Sequence, residues 1–267
     1  MIKHIVCYSG GETSGIVAYE VVKRFGPENV ILLNHDISAN VEDTDIKRYK
    51  IELASALGVP ITYANMESWE VMDQFDVCLQ AKAFKAGMHP ICTSRLKTRP
   101  FERWLKENYP ADPETGRQEH AIIYYGFEAK EQARIDRRTR IMNEKGYAVE
   151  FPVANWAGCI KSTREIGVEP PHTYEVWKHA NCIGCLRAGR QHWYVVYCRR
   201  PDIWEKAKIT EAAIGYSILR IDNEPVFLKE MEDQFRAMKE AGIEATEKVS
   251  PTRFWRETKR ILKERSA

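Results

Sequence analysis

Short apolar runs alternate with amphipathic stretches from the first residues of the chain onward. His4-Ile5-Val6-Cys7-Tyr8 reads as a strand that gives way to Gly10-Gly11, and Ile16 to Val22 then reads as a helix. Asn29-Val30-Ile31-Leu32-Leu33-Asn34 is a second buried strand. The segment from Asp43 to Leu57 carries Ile46, Tyr49, Ile51, Leu53 and Leu57 at roughly helical spacing and stops at Gly58. A third strand begins at Pro60-Ile61-Thr62-Tyr63. After Arg99-Pro100 a helix is predicted over Phe101 to Glu107, followed by a polar loop from Pro110 to Gly116. Ala121-Ile122-Ile123-Tyr124-Tyr125-Gly126 is the clearest later strand. Strands and helices in this alternation predict an α/β fold, a parallel sheet with helices on both faces joined by right-handed crossovers.

Beyond Val153 the pattern changes. Pro152, Pro170, Pro171 and several tryptophans point to a mostly helical C-terminal extension closed by helices over Glu230 to Ala241 and Thr252 to Arg265. The expected division is a nucleotide-binding core over 1–155 and an extension over 156–267 packed on it. Hydrophobic residues make up 44% and charged residues 29% of the 267, so a sizeable core is available. No apolar run reaches the length that spans a bilayer, and the opening residues lack the apolar stretch of a secretory signal. A cytoplasmic protein with no membrane partner is therefore expected. The net charge of +2 says little about partners. Local basic clusters at 95–99, 134–140 and 198–200 raise the odds of an anionic ligand, although each alone reads as a solvated helix face.

The turn Ser9-Gly10-Gly11-Glu12-Thr13-Ser14 sits between the first strand and the first helix. Such a turn aims backbone N–H groups along the positive end of a helix dipole, and glycines let an anion approach the backbone. Ser9, Thr13 and Ser14 would add hydroxyl donors. The string is neither a Walker loop nor a dinucleotide fingerprint; the plainer reading is a tight turn with a Ser/Thr helix cap.

Ser-Gly-Gly-x-x-Ser after the first strand resembles the PP-loop of the adenine nucleotide α-hydrolase group, which includes sulfonucleotide reductases, N-type ATP pyrophosphatases and tRNA thiolation enzymes. Asn34-His35-Asp36 with Glu42 and Thr44, Cys92 to Pro100 (Cys-x-x-x-x-Lys-x-x-Pro), Gly126 to Arg134 (Gly-x-x-x-x-Glu-x-x-Arg) and Cys182-Ile183-Gly184-Cys185 resemble segments of the phosphoadenosine-phosphosulfate reductase-like family, phage and plasmid relatives included. They occur in that family's order over roughly residues 4 to 215. The resemblance implies a Rossmann-like sheet and an ATP site formed by Ser9, Gly10, Gly11, Thr13, Ser14, Asn34 and Gly126. It also implies catalytic roles for Lys97, Glu131 and Arg134. Glu12-Thr13 stands where the wider group commonly has Lys-Asp, which removes positive charge from the loop and predicts that Glu12 points away from the phosphates.

Seven cysteines in a chain of this length do not make a disulfide scaffold. Cys7, Cys78 and Cys198 read as small core residues. The Cys182/Cys185 pair fits zinc, an iron–sulfur cluster or a redox pair. The resemblance implies a 4Fe–4S cluster on Cys92, Cys182 and Cys185 that leaves one iron open; if the site is closed, Cys159 is the fourth ligand ahead of His179 and His192, and zinc is the alternative cofactor. The family's reductases carry a nucleophilic cysteine on a C-terminal tail, and residues 248–267 contain none. The expected activity is therefore that of a PP-loop ATP pyrophosphatase or sulfurtransferase, which would activate an acceptor by adenylation and act on a nucleic acid or with a sulfur-donor partner. Sulfonucleotide reductase and non-catalytic nucleotide-binding subunit are the other readings. A homo-oligomer is expected.

Overall fold

The computed structural model describes residues 2–87, 89–180 and 182–265. The elements run β1 (Lys3–Cys7), α1 (Glu12–Phe25), β2 (Val30–Asn34), α2 (Thr44–Leu57), β3 (Ile61–Tyr63), α3 (Gln74–Ala81), β4 (Lys85–Ala86), β5 (His89–Pro90), α4 (Ile91–Thr93), α5 (Arg99–Asn108), β6 (Ala121–Tyr124), α6 (Gln132–Glu144), β7 (Ala148–Glu150) and α7 (Pro152–Asn155). They continue with α8 (Arg190–Arg199), α9 (Pro201–Ile214), β8 (Leu219–Ile221), β9 (Glu224–Val226), α10 (Glu232–Glu240) and α11 (Pro251–Arg265). The chain forms two compact units. One comprises the chain up to Asp36 together with Thr44–Glu67 and Lys97–His172; the other comprises Ile37–Asp43, Ser68–Leu96 and the chain from Thr173 onward.

The first unit is the expected Rossmann-like α/β layer structure. Its five strands are parallel, in the order β3-β2-β1-β6-β7. Side chains alternate across each strand, so one face receives Val6, Leu32 and Tyr124 and the other receives Ile5, Leu33 and Ile123. Val17, Val21, Tyr49 and Leu53 from α1 and α2 complete the first core. Phe101 and Leu105 from α5, with Ile135 and Met142 from α6, complete the second. Each such side chain contributes roughly 1.5–3 kcal/mol when removed from water, which explains why β1, with Ile5 and Val6 fully buried, is the centre of the unit. The chain steps outward from β1 through β2 to β3, then returns to pair β6 with the other side of β1. Where strand order reverses in this way, a crevice opens at the carboxyl ends of the two central strands.

The second unit is mostly helical. Trp193 and Tyr194 of α8, Trp204 of α9 and Phe235 of α10 are all buried and pack ring against ring. The β8–β9 hairpin turns through Asp222 and Asn223, both with positive φ (52° and 69°), as the twist of a two-residue hairpin requires. The division differs from a cut at 155. Trp156, Ile166 and Val168 pack into the first unit's core, so that unit extends to His172. The excursions 37–43 and 68–96 belong to the second unit. Among the described residues no helix is long and apolar enough to cross a membrane.

Candidate functional site

The glycine turn lies at the carboxyl end of β1. Tyr8 continues the strand, its N–H donating to Leu33 O at 2.8 Å, and the chain then turns through Gly10 at φ +81°. A side chain there would be strained and would also strike Ile46 Cγ2 at 2.7 Å and Lys50 Cδ at 3.0 Å. α1 starts immediately afterwards, with Gly11 at its cap position and no side chain capping it. The first-turn amides of any helix have no intrahelical acceptor, so the tip of β1 offers the concentrated N–H dipoles that bind anions. Ser14 shapes this turn from within. Its hydroxyl donates to Gly11 O at 2.7 Å and accepts from Ser9 N at 3.2 Å, and Ser9 Oγ lies 3.3 Å from Ser14 Oγ. Ser9 is exposed, Thr13 is half-buried and Ser14 is buried. Glu12 is engaged by Ser162, whose Oγ donates to its Oε1 at 2.6 Å.

A group that the sequence reading did not single out stands behind the turn. Lys50, on α2, is 1% exposed, with its stem against Gly10. Its Nζ donates to Asn34 Oδ1 at 3.3 Å and to Asp36 Oδ1 at 3.2 Å. Lys47 Nζ donates to the same Asp36 oxygen at 2.6 Å, Asn34 Nδ2 donates to Tyr8 O, and Tyr8 Oη donates to Lys50 O at 2.9 Å. Asn34 thus holds the turn through backbone and lysine. Burying an ammonium is costly unless it is paired, and here the pairing fixes it within a side-chain length of the glycines. The signal for Lys50 in the sequence was a lysine on the apolar stripe of a helix, one position after Tyr49.

Gly126 closes the other side. A Cβ on it would lie 3.1 Å from Ser14 N and 3.2 Å from Thr13 C, so the glycine lets the end of β6 press against the start of α1. Glu131 and Arg134 are brought together, Arg134 pairing with Glu131 while its guanidinium sits 4.3 Å above the Phe127 ring. Burial pushes the Glu131 carboxyl up, but the Glu128 amide and Arg134 outweigh it and hold it below its ordinary value. Lys97 is exposed in the π-helical stretch Ser94–Thr98. His35 is bonded through Nδ1 to Ala64 O, and burial drives it down to about 4, so it is a neutral structural imidazole at pH 7.

The seven cysteines form no disulfide. Burial raises the Cys7 thiol to about 12, in keeping with a core residue. Cys159, in the first unit, donates to Pro152 O and Trp156 O, each at 3.7 Å. Cys92, Cys182 and Cys185 lie in the second unit. There Gln74 Nε2 donates to Ile183 O at 2.8 Å and Gly184 O at 3.3 Å. His192 Nε2 accepts from the amides of Gly184 and Cys185 at 3.1 and 3.2 Å, while its Nδ1 meets Glu247 Oε1 at 2.9 Å. One imidazole nitrogen therefore serves the Cys-x-x-Cys turn, and the other is held by Glu247. Cys78, read as a plain core residue, is fully buried, and the neighbouring Cys92 together with burial raises its pKa. A zinc or iron–sulfur centre needs three or four donors around one point. Among the described residues no three His, Cys, Asp or Glu side chains form such a group.

No protein-family model matches the chain, and no curated protein is significantly similar to it.

Proposed function

We propose that the first unit binds an adenine nucleotide through its phosphates at the Ser9–Ser14 turn, and that the protein is a PP-loop-type ATP pyrophosphatase. The reading rests on the Gly10-Gly11 turn, which carries the start of α1 at the point where strand order reverses, with the Lys50 ammonium anchored behind it. Lys50 supplies from α2 the positive charge that a loop lysine supplies in the resembled group. In such a reaction an acceptor oxygen attacks the α-phosphorus of ATP, the α–β bridging bond breaks, and pyrophosphate leaves; the acceptor is then adenylated and open to displacement by a sulfur nucleophile. Main-chain amides and Lys50 would stabilise the negative charge of the departing pyrophosphate, and Lys97 and Arg134 are further cations of the same unit.

Titration of ATP against the wild-type chain, Lys50→Met and Gly126→Ala tests it. Loss of the buried ammonium is expected to weaken binding about tenfold, on the order of 1.4 kcal/mol. Gly126→Ala, which pushes the start of α1 outward, is expected to weaken it comparably. Pyrophosphate should accumulate only when an acceptor is added, and AMP only when a sulfur nucleophile is added as well. Equal ATP affinity in all three proteins, or binding by none, would reject the site.

A further inference from the structure

At the amino ends of the parallel strands, where α5 and α6 finish and β7 begins, the first unit holds a cavity of about 390 Å³. That size falls within the range of small-molecule sites. Its floor is apolar: Leu105 of α5, Met142 of α6 and Tyr147 belong to the second core, and Pro110 and Ala111 form one wall. Hydrogen bonds hold these walls in place. Tyr147 Oη donates to Tyr109 O at 3.0 Å, and Gln118 Nε2 donates to Pro110 O at 2.7 Å. Lys145 N and Tyr147 N both donate to Met142 O, at 3.0 and 2.9 Å, and Gln118 N donates to Gly146 O at 2.9 Å. The loop before β6 leans on Gly146 so closely that a Cβ there would lie 2.1 Å from Gly116 O. Closing the hollow would break these bonds, so it is a preformed space.

We infer that this cavity binds a small anionic amphiphile, a medium-chain carboxylate whose hydrocarbon tail lies on the apolar floor and whose head group meets Lys106 and Lys145. The rim decides the charge. Lys106 and Lys145 are exposed there, and Glu102 is the one carboxylate of the lining, so two positive charges stand against one negative. Lys145 is paired with Glu102, but so exposed an ion pair is weak, and a second carboxylate can share the ammonium. A neutral ligand would leave the positive excess uncompensated, and a cation would add to it. The floor decides the tail. The Tyr147 hydroxyl is already bonded to Tyr109 O, so a polar tail would be buried without a partner. Open parallel sheets bind their substrates outside the carboxyl ends of the strands. This cavity lies at the amino ends and is therefore a site separate from the glycine turn.

Isothermal titration of decanoate into the intact chain provides the test. A single site is expected, its affinity falling about fourfold for each methylene removed on going to octanoate and hexanoate. Decanol and decyltrimethylammonium should bind about tenfold more weakly than decanoate or worse. Ala111→Leu, which fills the hollow, and Lys106→Glu, which reverses the rim, should each weaken decanoate about tenfold, with thermal melting showing both variants folded. Lys106 is exposed, so its variant remains a valid test even where Ala111→Leu is less stable. Four results would each overturn the inference: no uptake by the wild-type chain, decanol or the cation binding as tightly as decanoate, unchanged affinity in Lys106→Glu, or a second copy of the chain sealing the cavity in sedimentation experiments. ATP titration reads the glycine turn separately, so failure of one site is distinguishable from failure of the other.

Discussion

His35 connects the carboxyl end of β2 to Ala64, and its burial has a measurable consequence. Its pKa falls from the ordinary 6.5 to about 4, so the folded state binds the proton less readily than the unfolded chain. The contribution is complete above about pH 6.5 and is lost as pH falls toward 4, at most about 3 kcal/mol. Denaturant unfolding of wild type and His35→Gln across this range should show a declining difference in the wild type's disfavour as pH drops; a difference independent of pH would contradict the buried neutral imidazole. Lys50 makes a similar point without a titration. One side chain, invisible as chemistry in the sequence, supports the glycine turn from behind because Asn34 and Asp36 compensate its charge.

At the scale of elements, α9 is tied to the β8–β9 hairpin by Glu211, whose carboxylate accepts from Ile218 N and Leu228 N, both at 2.6 Å. Burial is the dominant cause that raises this carboxyl to about 6. Here the sign reverses: the folded state binds the proton more tightly, so stability falls as pH rises from about 4.5 to about 6, by no more than about 2 kcal/mol. Glu211→Gln should remove that slope, as thermal melting at pH 4.5 and 6.5 would show; an unchanged slope would refute the assignment. The strands at Val30–Asn34 and Ala121–Tyr124 and the helix ending at Leu57 were legible because each buries a continuous or periodic apolar set. α6 was legible only as a solvated basic helix face without bounds, because only Ile135 and Met142 of it are buried among many arginines. The glycine turn was legible by its composition, whereas the inward use of the Ser14 hydroxyl depends on the exact path of the turn. Cys78 was legible as a core residue, and it is fully buried.

At the scale of the molecule, each unit is stitched from three separate stretches of chain. A composition change at Val153 could not reveal this, since residues 156–172, which end at Pro170-Pro171-His172, supply Trp156, Ile166 and Val168 to the first core. A fragment of residues 1–155 would lack those side chains, and Glu12 would lose Ser162. It is expected to show no cooperative thermal transition by circular dichroism; a sharp melt equal to the first transition of the full chain would contradict the boundary at His172.

The sheet order has a further cost during synthesis. β1 must wait for β6, from Lys3 to Ala121, before its second edge is paired. At ribosomal rates that interval is on the order of ten seconds. Throughout it the strand that becomes the centre of the sheet presents a bare edge, which makes the emerging N-terminal half the stretch most in need of a holding chaperone.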